Sequence, residues 1–264
     1  MRLISTNCPG NGGLRDNMEY NILDEYSDGY EYDAENTSGD EINFYLGLAH
    51  EFGGPILDLA CGTGRLTIPL AQAGYATTGL DIAAPMVEHG RRKGAGLPVQ
   101  WHVADCRSFQ LDERFALITM TGNSFQAFLT RPDQEAVLAC IREHLQAGGI
   151  FAFEVRNPYL ETFDTPQEEF WRSYTNRTGQ TFDISTTQRY DKLAQVMDYT
   201  NYRRWQANGE EQLRITHLYM RFFYPQEMEA LLYYNGLKVM RSYGDWALHP
   251  IAEDSPRMIY VCQA

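Results

Sequence analysis

Apolar positions along this 264-residue chain change their period twice. In residues 40–52, Ile42, Tyr45, Leu46 and Ala49 fall at helical intervals of three and four, and Gly53-Gly54-Pro55 ends the run. From Ile56 onward, short apolar runs alternate with helical periods. Strands are predicted at 56–59, 76–80, 99–103, 115–119 and 150–155, and helices at 65–73, 84–93 and 132–145, the last stopped by Gly148-Gly149. Such alternation argues for a parallel sheet covered on both faces. After residue 156 the period becomes two. Residues 181–189, 194–205 and 212–221 are rich in Thr, Tyr, Ile and Val, and Asn208-Gly209 is a hairpin turn. Two or three antiparallel strands are therefore inserted within 157–222. A helix opened by Pro225 and stopped by Gly236 follows, then strands at 237–246 and 257–262. Residues 1–36, rich in Gly, Asn, Asp and Tyr, precede the domain, which is predicted to span 37–264. They are expected to be acidic and partly flexible.

Charge narrows the partners. The chain carries 35 acidic and 22 basic residues, net −13, and residues 1–52 alone hold 11 acids against two bases. An acidic surface repels a phosphate backbone, which disfavours nucleic acid. The acidic lead-in reads as a solvated surface, with an entrance favouring amine substrates as the sharper alternative. No run of about 18 apolar residues exists, so no membrane span is expected. The start lacks a secretory apolar segment, and the five cysteines are scattered and odd in number, which suits reduced thiols in a cytoplasm. No metal-ligand spacing is found, and no metal is expected.

The informative stretch is Ile56-Leu57-Asp58-Leu59-Ala60-Cys61-Gly62-Thr63-Gly64-Arg65, a strand, a glycine turn and a helix start. Seventeen residues after Gly64, Asp81 ends the next strand, where a carboxylate can accept from ribose hydroxyls. An adenosine-containing cofactor follows. A dinucleotide fingerprint would place a third glycine where Thr67 stands. Asp58 would repel a pyrophosphate but attract an ammonium group, which favours S-adenosylmethionine over NAD.

These residues resemble the first motif of the class I S-adenosylmethionine-dependent methyltransferases. The resemblance implies a Rossmann-like α/β fold, with a seven-stranded, mostly parallel sheet whose last strand is antiparallel, plus the inserted antiparallel element. It implies Asp58 near the methionine amino group and the backbone of Ala60, Gly62 and Gly64 along the methionyl part. Asp81 would sit on the ribose, with Ile82 and Met86 packed by the adenine. Asp105 would accept from the adenine amino group, the Cys106 backbone N–H would meet a ring nitrogen, and Thr121 would lie near the methyl group. Tyr32 would belong to an N-terminal element closing over the cofactor.

The expected reaction is in-line transfer of the methyl group to a nitrogen or oxygen of a small molecule, leaving S-adenosylhomocysteine. A non-catalytic S-adenosylmethionine-binding protein and an NAD(P)-dependent oxidoreductase are the rival readings. No general base stands out. Candidate substrate contacts are Asn123, Glu154 at the end of the fifth strand, and His217. The inserted strands would form either a substrate lid or the contact of a homodimer.

Overall fold

Four of the parallel strands are built from residues with no polar face to spare. Ile56–Leu59 (β1), Thr77–Asp81 (β2) and Phe115–Met120 (β4) are buried at every position, and Leu145–Arg156 (β5) is buried from Ile150 to Val155. Strands apolar on both faces need cover on both faces. They receive it from helices Ile42–Phe52 (α2), Thr67–Gln72 (α3), Ala84–Lys93 (α4), Arg131–His144 (α5) and Pro225–Tyr234 (α6), whereas Gly29–Glu35 (α1) packs on α4 and on the inserted strands. The computed structural model describes residues 23–161 and 163–264. Most of the flexible start expected over 1–36, and Cys8, lie outside the described residues.

Val99–Val103 (β3), Lys238–Tyr243 (β10) and Arg257–Gln263 (β11) complete a seven-stranded sheet. Its order is β3-β2-β1-β4-β5-β11-β10, and β11 runs antiparallel to both its neighbours. One face packs Leu57, Ile118, Phe151, Phe153 and Tyr260 against α5 and α6, and the other packs Ile56, Leu117 and Ala152 against Tyr45 and Leu48 of α2. The chain reverses strand order between β1 and β4, the place where such sheets open a ligand crevice.

A second sheet, absent from the parallel plan, holds Thr165–Thr175 (β6), Thr181–Asp191 (β7), Val196–Ala207 (β8) and Glu210–Arg221 (β9) as an antiparallel meander. Asn208 and Gly209 turn β8 into β9 with φ of 54° and 80°, as their hairpin signature requires. The insertion therefore has four strands where two or three were expected. β6 was hidden because most of its residues are exposed, so it carries no buried stripe to alternate. Gln126 links the sheets: its side chain donates to the Arg221 carbonyl at 2.9 Å and accepts from the Arg156 N–H at 2.9 Å.

Helix α1 was not foreseen either. It has almost no apolar stripe and is held by charge. On one side Glu31 accepts from the Tyr174 hydroxyl at 3.0 Å and the Asn176 amide at 2.8 Å, while Glu35 pairs with Arg172 at 2.8 Å and Arg203 at 2.9 Å. Glu25, just before the helix, also pairs with Arg203, whose side chain is 3% exposed. On the other side the Asp33 carboxylate accepts from Thr63 at 2.5 Å, from Lys93 at 2.6 Å and lies 3.0 Å from His89 Nε2. A Cβ at Gly29 would stand 2.6 Å from the Cβ of His89, so only glycine lets α1 lie this close to α4. The acidic lead-in is thus only partly a solvated surface: Glu25 and Glu35 are counter-charges of the second sheet, and Glu31 accepts from its neutral donors.

Removing Arg203 would strand the largely buried Glu25 carboxylate and leave Glu35 with Arg172 alone. Arg203→Ala should cost about 3–5 kcal/mol of unfolding free energy. Urea denaturation checks it, and a loss under about 1 kcal/mol would mean that water, not Arg203, satisfies Glu25 and Glu35.

Candidate active site

Between the carboxyl ends of β1, β2 and β4 and the inner face of the second sheet lies a cleft of about 560 Å³. Its floor begins with the turn after β1. Ala60, Gly62 and Gly64 all adopt positive φ, at 52°, 54° and 82°. At Gly64 a Cβ would also come within 2.5 Å of the Trp101 ring, so this glycine answers to the packed side of the turn. Ala60 pays a backbone cost that an L-residue rarely accepts, and it sits on the cleft wall.

Two buried acids hold this turn. Asp81, at the end of β2, accepts from the Gly62 N–H at 2.8 Å with one oxygen and from the Ala83 N–H at 2.8 Å with the other. It lines the cleft, and burial raises its pKa against the pull of those N–H groups. Asp58 lies behind the turn. It accepts from Thr67 at 2.6 Å and from Thr119 at 2.9 Å and does not reach the cleft wall. Burial pushes its carboxyl up to about 6 in spite of the two hydroxyls. Thr67, the residue in place of a third glycine, is therefore occupied with Asp58.

Tyr32, Ala60, Gly62, Asp81, Ile82, Met86, Asp105, Cys106, Thr121 and Asn123, which the sequence singled out, converge on the cleft. Asp105 does so as part of an ion-pair chain. Arg107 pairs with it at 2.6 Å and with Asp133 at 2.6 Å, which holds the Asp105 carboxyl below its ordinary range. Burial pushes the Cys106 thiol up to about 12, so it is a packed thiol, steadied by the Ala60 N–H.

Gly64, Asp58, Glu154 and His217 do not line the cleft. His217 projects from the far face of β9, half exposed, beside Asp198 and Thr200 at 3.2 Å each. It was placed correctly on a strand, but the strand's alternation turns it away. Glu154 is fully enclosed. It accepts from the Tyr45 hydroxyl at 2.7 Å, from the Gly122 N–H at 2.6 Å and from the Asn123 N–H at 3.4 Å. Its carboxylate fixes the loop after β4 from behind, and burial raises its pKa. That loop sets Asn123 in the left-handed region at φ 60°, with its Oδ1 buried and unpartnered among the described residues.

The sequence reading missed the cationic side of the cleft: Arg65, Arg156, Arg172, Arg203 and Arg214. It also missed Tyr26, which burial keeps protonated far above neutral pH. The signal for the arginines was present as complementary charge, acids before residue 52 and arginines in the inserted strands, but only the register shows that they meet. Among the described residues no helix is long and apolar enough to cross a membrane, and no group of three or more His, Cys, Asp or Glu could hold a metal ion.

A glycine turn from β1 into a helix, an acid at the end of β2 and a seven-stranded sheet closed by an antiparallel strand define a Rossmann-like α/β protein with a ligand cleft at its switch point. The methyltransferase-domain family model matches residues 56–149. The cypemycin N-terminal methyltransferase of a Streptomyces species is 27% identical over 213 residues, covering 80% of this chain and 83% of that protein. A dTDP-3-amino-3,4,6-trideoxy-α-D-glucopyranose N,N-dimethyltransferase of Streptomyces venezuelae is 31% identical over 100 residues, covering 38% and 41%. The solved structure of the CcbJ methyltransferase from Streptomyces caelestis superimposes with a TM-score of 0.75 at 20% identity, covering 90% of this chain and 97% of that one. Residues 56–149 are thus a methyltransferase domain of the S-adenosylmethionine-dependent type, set in a chain whose whole fold is that of a solved methyltransferase.

The Asp58 carboxyl gives a pH test. Its folded pKa of about 6 lies above its unfolded value near 3.8. The folded state therefore binds the extra proton between these values, and the wild type loses stability as pH rises from 4 through 6. Asp58→Asn removes that slope. The stability of the variant relative to wild type should climb by about 2–3 kcal/mol between pH 4 and 7, in denaturant midpoints converted to free energy. A difference that stays flat with pH would place an ionised Asp58 in the folded protein throughout.

Proposed function

We propose that the chain methylates an amine nitrogen of a small molecule held between the two sheets. The observation that carries the reading is Asp81. Its two oxygens are aimed by the Gly62 and Ala83 N–H groups and keep lone pairs toward the cleft, as the paired hydroxyls of a ribose require. The orphaned Asn123 Oδ1 also fits a ligand-bearing cleft, since a buried polar atom without a partner is a rarity that asks for one.

In this reading Ala60 and Gly62 run along the methionyl part, Ile82, Met86, Asp105 and the Cys106 N–H surround the adenine, and Tyr32 covers the cofactor from α1. Asp58, Gly64 and Glu154 act as positioning residues: Asp58 and Gly64 shape the turn and Glu154 fixes the 121–124 loop. His217 has no part. S-adenosylmethionine supplies a methyl carbon on a sulfonium, whose C–S electron pair goes to sulfur as the acceptor's lone pair forms the new C–N bond.

The chain's task is alignment. Thr121 and Asn123 border the line of approach, and orienting two partners is worth about 7–11 kcal/mol of barrier. Tyr26 and Tyr32 exclude water from the α1 side. A neutral amine needs no strong base, and its surplus proton can leave to solvent after transfer. Nitrogen is favoured over oxygen by the absence of a cleft-lining histidine among the described residues and by relatives whose names specify an N-terminus and an amino sugar. Thr67, engaged by Asp58, counts against a dinucleotide. The inner face of the four-stranded sheet borders the cleft, which supports the lid reading of 157–222 over a dimer contact. Four buried free thiols agree with a reducing cytoplasm.

Calorimetry with S-adenosylhomocysteine and, in parallel, NADH tests the cofactor; only the first should bind. Asp81→Ala should weaken S-adenosylhomocysteine by at least about tenfold, the loss expected for a hydrogen-bonded carboxylate. Unchanged affinity would remove Asp81 from the ribose. An acceptor panel of amines and phenols tests the nitrogen assignment, and turnover of phenols alone would reverse it.

A further inference from the structure

Three arginines stand in one transverse row of the four-stranded sheet. Arg172 on β6 is in register with Ile184 on β7, Ile184 with Arg203 on β8, and Arg203 with Arg214 on β9. Residues in register across antiparallel strands share a face, and this face borders the cleft. Arg203 and Arg214 are therefore like charges set directly opposite each other, an arrangement that destabilises a sheet unless something answers it. Glu35 answers Arg172 and Arg203, and Glu25 answers Arg203. Two carboxylates thus serve two of the three guanidinium groups.

Arg214 is the one left over. No ion pair reaches it among the described residues, and its Nε is closed off from solvent with no acceptor. Arg172 Nε is in the same condition. Half-buried donors of this kind, beside a like charge, cost free energy unless an anion fills the gap. A guanidinium fork matches a planar carboxylate or a phosphate in two parallel hydrogen bonds. Leu218, two alternations along the same face of β9, supplies an apolar wall for the stem of such a ligand.

We propose that Arg214 anchors an anionic group, carboxylate or phosphate, carried by the methyl acceptor, so that the acceptor is an amine bearing an acid. The amine half rests on the function proposed above; the anion half rests on the arginine row alone.

The test uses the full chain saturated with S-adenosylhomocysteine, titrated calorimetrically with inorganic pyrophosphate and separately with malonate. Wild type should bind one of the two anions at one site. R214Q should bind it at least about tenfold more weakly, with R214K in between, the loss expected for a charge-assisted pair. A stronger pyrophosphate response marks a phosphate-bearing acceptor; a stronger malonate response marks a carboxylate. Silence of both anions on wild type, or equal affinity of wild type and R214Q, overturns the proposal. The S-adenosylhomocysteine affinity of R214Q should match wild type, which reports an intact fold. If R214Q does not fold, phenylglyoxal labelling of wild type carries the test: the bound anion should protect Arg214, and unprotected modification overturns the proposal. Should S-adenosylhomocysteine itself fail to bind wild type, the cofactor reading falls, while the anion titrations, run without it, still decide the arginine row.

Discussion

Arg203 is the charge about which the cleft is assembled. Its guanidinium lies on the inner face of the second sheet, almost without solvent, and holds Glu25 and Glu35 together. Burying such a cluster gives little net stability, because desolvation consumes most of the Coulombic gain. Its worth is in geometry. Two carboxylates from the segment before the parallel domain have only one buried partner on β8, so α1 can settle in one place. That placement brings Tyr26 and Tyr32 to the wall of the cleft that the glycine turn also lines.

The carboxyl ends of the parallel strands gather three further buried acids, and each does something different because its neighbours differ. Asp81 is held by backbone N–H groups and faces the cleft. Asp58 is held by two threonine hydroxyls and faces the core side of the same turn. Glu154 is held by a tyrosine and a loop backbone and supports the loop after β4 from behind. Strands whose ends point one way bring such groups within reach of one crevice. The direction in which each carboxyl turns is then set by its local donors.

The parallel half was legible because its strands are short apolar runs and its helices keep one buried stripe. Residues 84–93 and 225–234 match their helices to the residue, and the glycine motif with Asp81 led to the cofactor. Periodicity failed where charge or exposure does the holding. Helix α1 is docked by carboxylates on two sides, so it shows no apolar period, and β6 leaves most of its side chains in water. The strand ending at Arg156 begins at Leu145, five residues early, because Gly148 and Gly149 lie within it and do not merely end the preceding helix. Asp58 and Glu154 were found as acids in the right places, but whether an acid faces a cleft or the loop behind it depends on threonine and backbone donors brought in from other strands. His217 shows the same limit on a strand, where a shift of one residue reverses the face.

Helix α1 has two working sides set by its own winding. Glu31 and Glu35 are one turn apart and face the second sheet, whereas Asp33, midway between them, is turned about 200° away toward the glycine turn and α4. The segment therefore acts as a rigid key cut on both edges. A one-residue insertion or deletion inside it would rotate every later carboxylate by about 100°, misaligning one edge whenever the other fits. Length changes tolerated in the hairpin turns of the insertion are thus closed to these seven residues. Among the described α-helices the shortest but one is the one whose length is least free to vary.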